Sequence, residues 1–143
     1  AAAIAVGAGV GYYYSRPERT AEKVLTAVYT VDNAEIQRRR EAIDNRTFDT
    51  YMRERCDGAV TDNCIDGMIT ASALYYGATP AKVESIKFSP IDKATSDTAS
   101  FQYTAVFSDD SNAKERIGHV VMKKENGKWR VDSFVTKSVT KAD

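Results

Sequence analysis

The chain has few of the residues that build metal and redox centres. It contains one histidine and two cysteines in 143 residues, whereas structural zinc sites use four Cys or His ligands and catalytic zinc sites use three protein ligands. No HExxH, GxSxG, phosphate-loop or dinucleotide-binding motif is present, and each of these motifs places a specific catalytic or phosphate-binding group. We therefore expect no metal ion and no cofactor, and no motif assigns an enzyme activity.

The sequence also lacks an excess of charge of one sign. Its 20 basic and 20 acidic side chains cancel, so no strong field attracts nucleic acid or acidic lipid. Arginines cluster between residues 38 and 55, but acidic residues alternate with them, often four positions away. These pairs are Glu35 with Arg39, Arg40 with Asp44, and Asp49 with Arg53. Such spacing predicts salt bridges on a solvated helix surface, and no nucleic-acid partner is expected.

No hydrophobic run reaches the roughly 20 residues that a transmembrane helix needs. The N-terminal segment, residues 1–14, is uncharged and ends in three tyrosines shortly before Arg16, a composition typical of a membrane–water boundary. Because the chain begins with Ala1 and not with methionine, we interpret this segment as the end of a longer membrane anchor. A packed extension of the fold and a remnant of a signal peptide are the alternatives. Residues 15–143 are expected to form one domain.

The two cysteines, Cys56 and Cys64, enclose the turn-forming sequence DGAVTDN. These residues could fold the chain back and join the two sulfur atoms, although two separate reduced thiols are the alternative. A disulfide around so short a loop would stabilise the fold by roughly 2.5 kcal/mol in the chain-entropy model. It would also indicate an oxidising compartment. Together with the anchor, the predicted disulfide places the domain in the cell envelope, outside the cytoplasm.

Helical periodicity dominates the first half of the chain and strand periodicity dominates the last third. Apolar residues recur at helical spacing over residues 16–31, and shorter helices are predicted from there to Gly77. Strands are predicted over residues 83–88 and 99–107, followed by a hairpin that turns at Asn126-Gly127. This order predicts an α+β fold, in which the N-terminal helices pack on one face of a curved, mainly antiparallel sheet of three to five strands.

The Asn-Gly turn fixes a register for the predicted hairpin. Counting outward from a two-residue type I′ turn pairs His119 with Phe134 and Val121 with Asp132. One face then carries an apolar cluster around the only histidine, made of Ile117, His119, Val121 and Phe134. The other face, which we assign to the helix-covered interior, carries Val120, Met122, Trp129, Val131 and Val135. An apolar cluster on an outer face predicts a contact surface for a protein partner or a second copy, unless a loop or the N-terminal segment covers it.

The same register leaves a catalytic pair open as an alternative. His119 and Asp132 would lie on one face, on neighbouring strands and one pair apart, within reach of each other diagonally. If the protein is an enzyme or binds a small ligand inside the fold, these two side chains with Tyr103 and Tyr51 are the candidate polar groups. A single imidazole beside a carboxylate on an open sheet face is nevertheless more often structural, since catalysis also needs a pocket that positions the substrate.

The helices followed by a bent sheet, with the terminal motif Gly127-Lys128-Trp129-Arg130-Val131, resemble the nuclear-transport-factor-two-like superfamily, also called cystatin-like. The resemblance covers about residues 18–137 and implies an α+β cone. With the apolar N-terminal segment, it is similar to membrane-tethered extracytoplasmic members such as the inner-membrane scaffold component of type IV secretion and conjugation systems. Enzymes of the superfamily place an Asp–His or Asp–Tyr set inside the cone. The resemblance therefore implies a non-enzymatic scaffold domain, with a ligand-binding or catalytic cone interior as the alternative.

Overall fold

The structure is a computed structural model that describes residues 16–71, 79–108, 111 and 113–141. Over these residues the chain forms four helices followed by four strands. The helices are α1 (Pro17–Tyr29), α2 (Asn33–Asp44), α3 (Phe48–Arg55) and α4 (Asp62–Thr70). The strands are β1 (Val83–Pro90), β2 (Thr98–Phe107), β3 (Ala113–Glu125) and β4 (Lys128–Lys141). The strands form one antiparallel sheet, curved and open, in the order β1-β2-β3-β4, so the predicted α+β class is confirmed.

Local signals explain where the helices begin. Pro17 starts α1, a position where its missing N–H needs no partner. Asp32 caps α2, since its side chain accepts a hydrogen bond from the Glu35 amide at 2.7 Å. Thr61 caps α4 in the same way, accepting from the Cys64 amide at 3.1 Å. α4 ends at Thr70, and the predicted end at Gly77 lies outside the described residues.

The core lies between the helices and one face of the sheet, here called the inner face. β2 alternates as predicted, with Phe101, Tyr103 and Phe107 buried on this face. From the hairpin, Val120, Met122 and Val131 are fully buried against the helices, and Trp129 packs at their edge. At the turn Asn126 and Gly127 both have positive φ, 53° and 78°, as a type I′ turn requires.

A bulge in β4 breaks the predicted register five residues beyond the turn. Pairing runs as expected from Glu125 opposite Lys128 to Met122 opposite Val131. Asp132 is then an extra residue, so that Val121 lies opposite Ser133, Val120 opposite Phe134 and His119 opposite Val135. Because a shift of one residue moves every later side chain to the other face, the predicted places of Phe134 and Val135 are exchanged.

The predicted membrane anchor, residues 1–14, lies outside the described residues. Within the described part of the chain, none of the helices combines the length and the apolar character needed to cross a bilayer.

Candidate functional site

The face of the sheet opposite the helices, here called the open face, differs from the predicted contact surface at one position. Ile117, His119 and Val121 lie on it as expected, but the bulge brings Val135 beside His119 in place of Phe134. Phe134 instead packs against the core, with its ring 5.9 Å from that of Tyr29 in an edge-on contact. The prediction that Phe134 belongs to the outer cluster was wrong.

The centre of the open face carries no Asp, Glu, Lys or Arg among the described residues and is partly apolar. Val121 and Val135 are 37% and 51% exposed, among the most exposed large apolar side chains of the described residues. The strand registers surround them with short polar side chains from β2 and β4, namely Ser100, Gln102, Thr104, Ser133 and Ser138. Charged side chains lie further out, at Lys87, Glu115, Lys123 and Arg130. The face thus offers a flat apolar centre with charges of both signs around it.

Asp132 does not form the predicted pair with His119. The bulge directs the aspartate to the start of α4, where its Oδ1 accepts a hydrogen bond from Thr61 Oγ1 at 2.8 Å. Asn63 Nδ2 donates to the backbone oxygen of the same residue at 2.9 Å. Thr61 N also donates to Val131 O at 3.0 Å. Asp132 therefore joins α4 to the edge of the sheet, and the register places Val135, not an acidic group, across from the imidazole.

Tyr103 is buried on the inner face, where the cone interior was predicted. Its hydroxyl lies 2.7 Å from that of Tyr29 and donates to Val135 O at 3.3 Å. It reaches β4 by passing over Gly118, where a Cβ atom would overlap both the Tyr103 ring and the Val135 carbonyl oxygen. Burial raises the pKa of the Tyr103 phenol far above its usual range, and the Tyr29 hydroxyl adds to this. The phenol is therefore a fixed neutral group at physiological pH.

Tyr51 belongs to a separate, buried polar network. Its hydroxyl donates to Glu35, whose other oxygen accepts from Arg39 Nε at 2.6 Å and lies 3.0 Å from Arg55 Nε. Burial, followed by the hydrogen bond to Glu35, raises the pKa of Tyr51 to about 12. The four candidate polar groups are thus placed on different structures: Tyr51 in the helical network, Tyr103 on the inner face, His119 on the open face and Asp132 at α4.

The Glu35–Arg39 pair was predicted, but not its environment. Both side chains are almost completely buried, with 3% and 1% exposed, and not on a solvated helix surface. Arg39 donates to the carbonyl oxygens of Val28 and Ala27, and Arg55 donates to those of Ala27 and Thr30. The two guanidinium groups therefore satisfy the carbonyl groups at the C-terminal end of α1, which have no partner within the helix.

The two cysteines are free thiols in the structure, without the predicted disulfide. Cys56 and Cys64 are both buried in the core. Burial raises the pKa of Cys56 to about 11 and that of Cys64 to about 12, with nearby Cys56 and Asp132 contributing to the latter. Because the thiolate is the reactive form of cysteine, thiols with pKa values this high are protonated and unreactive at neutral pH.

Two hollows lie at opposite ends of the sheet. One, about 900 Å³, is bounded by Arg16, the loop after β1 and the hairpin tip with Lys128 and Trp129. The other, about 360 Å³, lies where α1 ends and β1 begins, and its wall contains Arg38, Arg55 and Lys82. Among the described residues, no group of three or more His, Cys, Asp or Glu side chains is placed to hold a metal ion.

The basic hollow at the start of β1 was missed by reasoning from the sequence. Its cations come from α2, from α3 and from the residue before β1, so no local motif brings them together. One signal was available in α2, where Ile36 and Ala42 are the buried apolar residues and charged side chains complete the buried face. A helix with so few apolar residues must bury polar groups if it packs on the core.

Comparison of the chain with protein families, with curated proteins and with solved structures finds no match.

Proposed function

We propose that this chain is a non-enzymatic interaction domain, held outside the cytoplasm by an N-terminal membrane anchor, that binds a protein partner or a second copy through its open face. The observation that carries the proposal is the exposure of Val121 and Val135 at the centre of this face. Exposed apolar side chains that are contiguous and surrounded by polar residues are typical of contact surfaces. Coverage by a protein would remove both side chains from water.

The size and shape of the open face suit another sheet. Four strands spaced about 4.8 Å apart, with about ten residues of 3.3 Å each, give a face of roughly 600 Å². Stable interfaces bury about 800 Å² on each partner, and transient ones bury less. Two sheets pack face to face through interlocking apolar side chains. We therefore expect a second copy or a partner sheet to bind here, with modest affinity unless further contacts join.

The position of Arg16 supports the proposed tether. This residue follows the apolar segment in the chain and lines the same hollow as Lys128 and Trp129 at the hairpin tip. An anchor that precedes it would hold this end of the domain toward the membrane, with a tryptophan and basic side chains nearby, as is common at membrane boundaries. The free thiols remove one reason for an extracytoplasmic location, so the localisation proposal depends on the N-terminal segment.

The resemblance to tethered scaffold domains extends the proposal to a role in a secretion or conjugation assembly. Membership of such an assembly requires contacts and no chemistry, and the open face supplies a surface for contacts. We favour this function over an enzyme or ligand binder that uses the cone interior, because the Tyr103 hydroxyl is held by Tyr29 and Val135 and His119 lies on the open face.

The proposal is tested by placing charge on the open face. We expect the Val121→Asp/Val135→Asp variant to lose self-association in sedimentation equilibrium, or to lose the adduct formed in the native host by a photo-crosslinking residue at position 119. The matched control is Ile69→Asp/Ile91→Asp, which charges two apolar side chains of similar exposure elsewhere. If the parent chain stays monomeric and position 119 gives no more adduct than position 91, the open face is not a contact surface.

The tether is tested separately on the full-length gene product. We expect it to remain in the membrane fraction after alkaline carbonate extraction, and the domain to be digested by protease added to the outside of spheroplasts. Complete extraction by carbonate would refute the anchor, and protection from external protease would refute the extracytoplasmic location.

A further inference from the structure

The smaller hollow is a basic site that the proposed contact function does not use. It has a volume of about 360 Å³, within the range of pockets that hold small molecules. Its polar wall includes Thr30, Asp32, Glu35, Arg38, Arg55 and Lys82. It lies at the end of the sheet away from the hairpin tip, since Lys82 precedes β1 while Pro90, at the other end of β1, lines the larger hollow.

The acidic groups in this wall are largely occupied. Glu35 is bound by Arg39, Arg55 and Tyr51, and one oxygen of Asp32 accepts the hydrogen bond that caps α2. A carboxylate held by two guanidinium groups presents little negative potential to a ligand. Counting only residues that the structure describes, the wall contains three cations, Arg38, Arg55 and Lys82, against these two carboxylates, and buried Arg39 adds a fourth positive charge behind it.

Two of the cations have no partner among the residues that the structure describes. Arg38 and Lys82 are exposed side chains for which no hydrogen bond or ion pair is formed there. Arg55 is different, because its Nε and Nη2 are committed to Ala27, Thr30 and Glu35, which fixes the guanidinium in place and leaves Nη1 uncommitted. Among the described residues, the hollow thus combines one guanidinium held by hydrogen bonds with two cations whose side chains have no partner there.

We infer that this hollow binds the oxyanion group, carboxylate or phosphate, of a small molecule. A guanidinium matches both groups in geometry, and hydrogen bonds between charged partners are about twice as strong as neutral ones. The fixed Arg55 would orient the group, while Arg38 would close on it from α2 and Lys82 from the position before β1. If the tether proposed above is correct, the site faces away from the membrane, but the inference does not depend on that.

The test is a titration of the protein with inorganic phosphate and, separately, with citrate, at constant ionic strength, followed by amide chemical shifts. We expect saturable shifts centred on residues 30–35 and 81–82. The variant Arg38→Gln/Lys82→Gln should bind at least tenfold more weakly. The control Lys87→Gln/Lys137→Gln, which removes two exposed cations from the sheet, should change the affinity less than twofold.

Both variants alter exposed side chains, and their Tm should stay close to that of the parent chain. If the double variant does not fold, the single variants Arg38→Gln and Lys82→Gln replace it in the titration. Tighter binding of phosphate than of citrate assigns a phosphate group, and the reverse assigns a carboxylate. The inference is wrong if neither probe gives saturable shifts, or if both double variants weaken binding equally. Either result would leave the contact function of the open face untouched.

Discussion

The two faces of the sheet place the same amino acid, valine, in different environments. Val120 on the inner face is fully buried, whereas its neighbour Val121 on the open face is 37% exposed. Fully burying a valine stabilises a fold by about 1.5–3 kcal/mol, so the covered side accounts for most of the stability that β3 contributes. The apolar side chains of the open face contribute little to the stability of the single chain. We therefore assign them to contact with another protein chain.

Ion pairs also differ between the covered side of the sheet and the exposed surface. On the covered side, Glu35 and Arg39 are buried and each has several partners. On the exposed surface, Arg53 pairs with Asp49 and Asp62 in contact with water. A buried charge whose partner is removed stays in a low dielectric, whereas an exposed one is solvated. The comparison therefore predicts large effects on the covered side and small ones outside.

Among single substitutions, the largest effect is expected for Arg39→Ala. This change leaves the carbonyl oxygens of Val28 and Ala27 without that donor and removes one of the two guanidinium groups that bind Glu35. We expect the free energy of unfolding to fall by about 3–5 kcal/mol, as when a buried ion pair is broken, measured by urea denaturation. The control Arg53→Ala, at an exposed pair, should cost less than about 1 kcal/mol. Equal losses would abolish the distinction between the two sides.

The next effect is expected for Gly118→Ala. A methyl group there overlaps the Tyr103 ring and the Val135 carbonyl oxygen, so the ring must move or the strands must separate. Overpacking of this kind costs about 1–3 kcal/mol. The control Gly67→Ala, on α4, meets no neighbouring atom and should be neutral or stabilising. The Tm of both variants, measured by thermal unfolding, tests this prediction. An unchanged Tm for Gly118→Ala would contradict the packing of Tyr103 over Gly118.

A third effect concerns alkaline pH. In the folded chain, burial raises the pKa of the Cys56 thiol to about 11 and that of the Cys64 thiol to about 12, above the value of 9.0 for an exposed thiol. Above pH 9 the unfolded chain releases these protons first, so stability present below pH 9 is lost as the pH rises. We expect a loss of about 1.4 kcal/mol per pH unit for each thiol, measured by urea denaturation under reducing conditions.

The variant Cys56→Ala/Cys64→Ala separates the thiols from other titrating groups. Its stability at pH 8 should be lower, because two core side chains are shortened, but its decline between pH 9 and 11 should be flatter. A slope equal to that of the parent chain would show that the thiols are not the cause. A thiol count in denaturant, before reduction, reports directly whether the parent chain carries two free cysteines.

The smallest effect is expected on the open face. Val135→Thr keeps the branched shape and exchanges one methyl group for a hydroxyl at a side chain that is half exposed. Surface changes of this kind stay within about 0.5 kcal/mol. The same change at the fully buried Val131 leaves a hydroxyl without water and should cost about 1–3 kcal/mol. Similar losses at both positions would mean that the open face is covered within the single chain.

Much of the fold could be predicted because its signals are local. The Asn126-Gly127 turn and the alternation of β2 each depend on a few neighbouring residues, and the structure confirms them. The candidate site was less predictable. Its register holds from the turn to Val131 and then shifts at Asp132, a residue that bonds to Thr61, 71 positions earlier in the chain. Such a distant contact has no local signal in the sequence.

The sequence by itself determined which segments become helices and strands, where the hairpin turns, and that one side of the sheet would be apolar, since these follow from backbone preferences and from periodicity. Only the tertiary structure decided that Val135 and not Phe134 lies beside His119, that Glu35 and Arg39 are buried, and that Arg38, Arg55 and Lys82 surround one hollow. Each of these depends on contacts between distant segments, which fix the surroundings of a side chain only once the chain has folded.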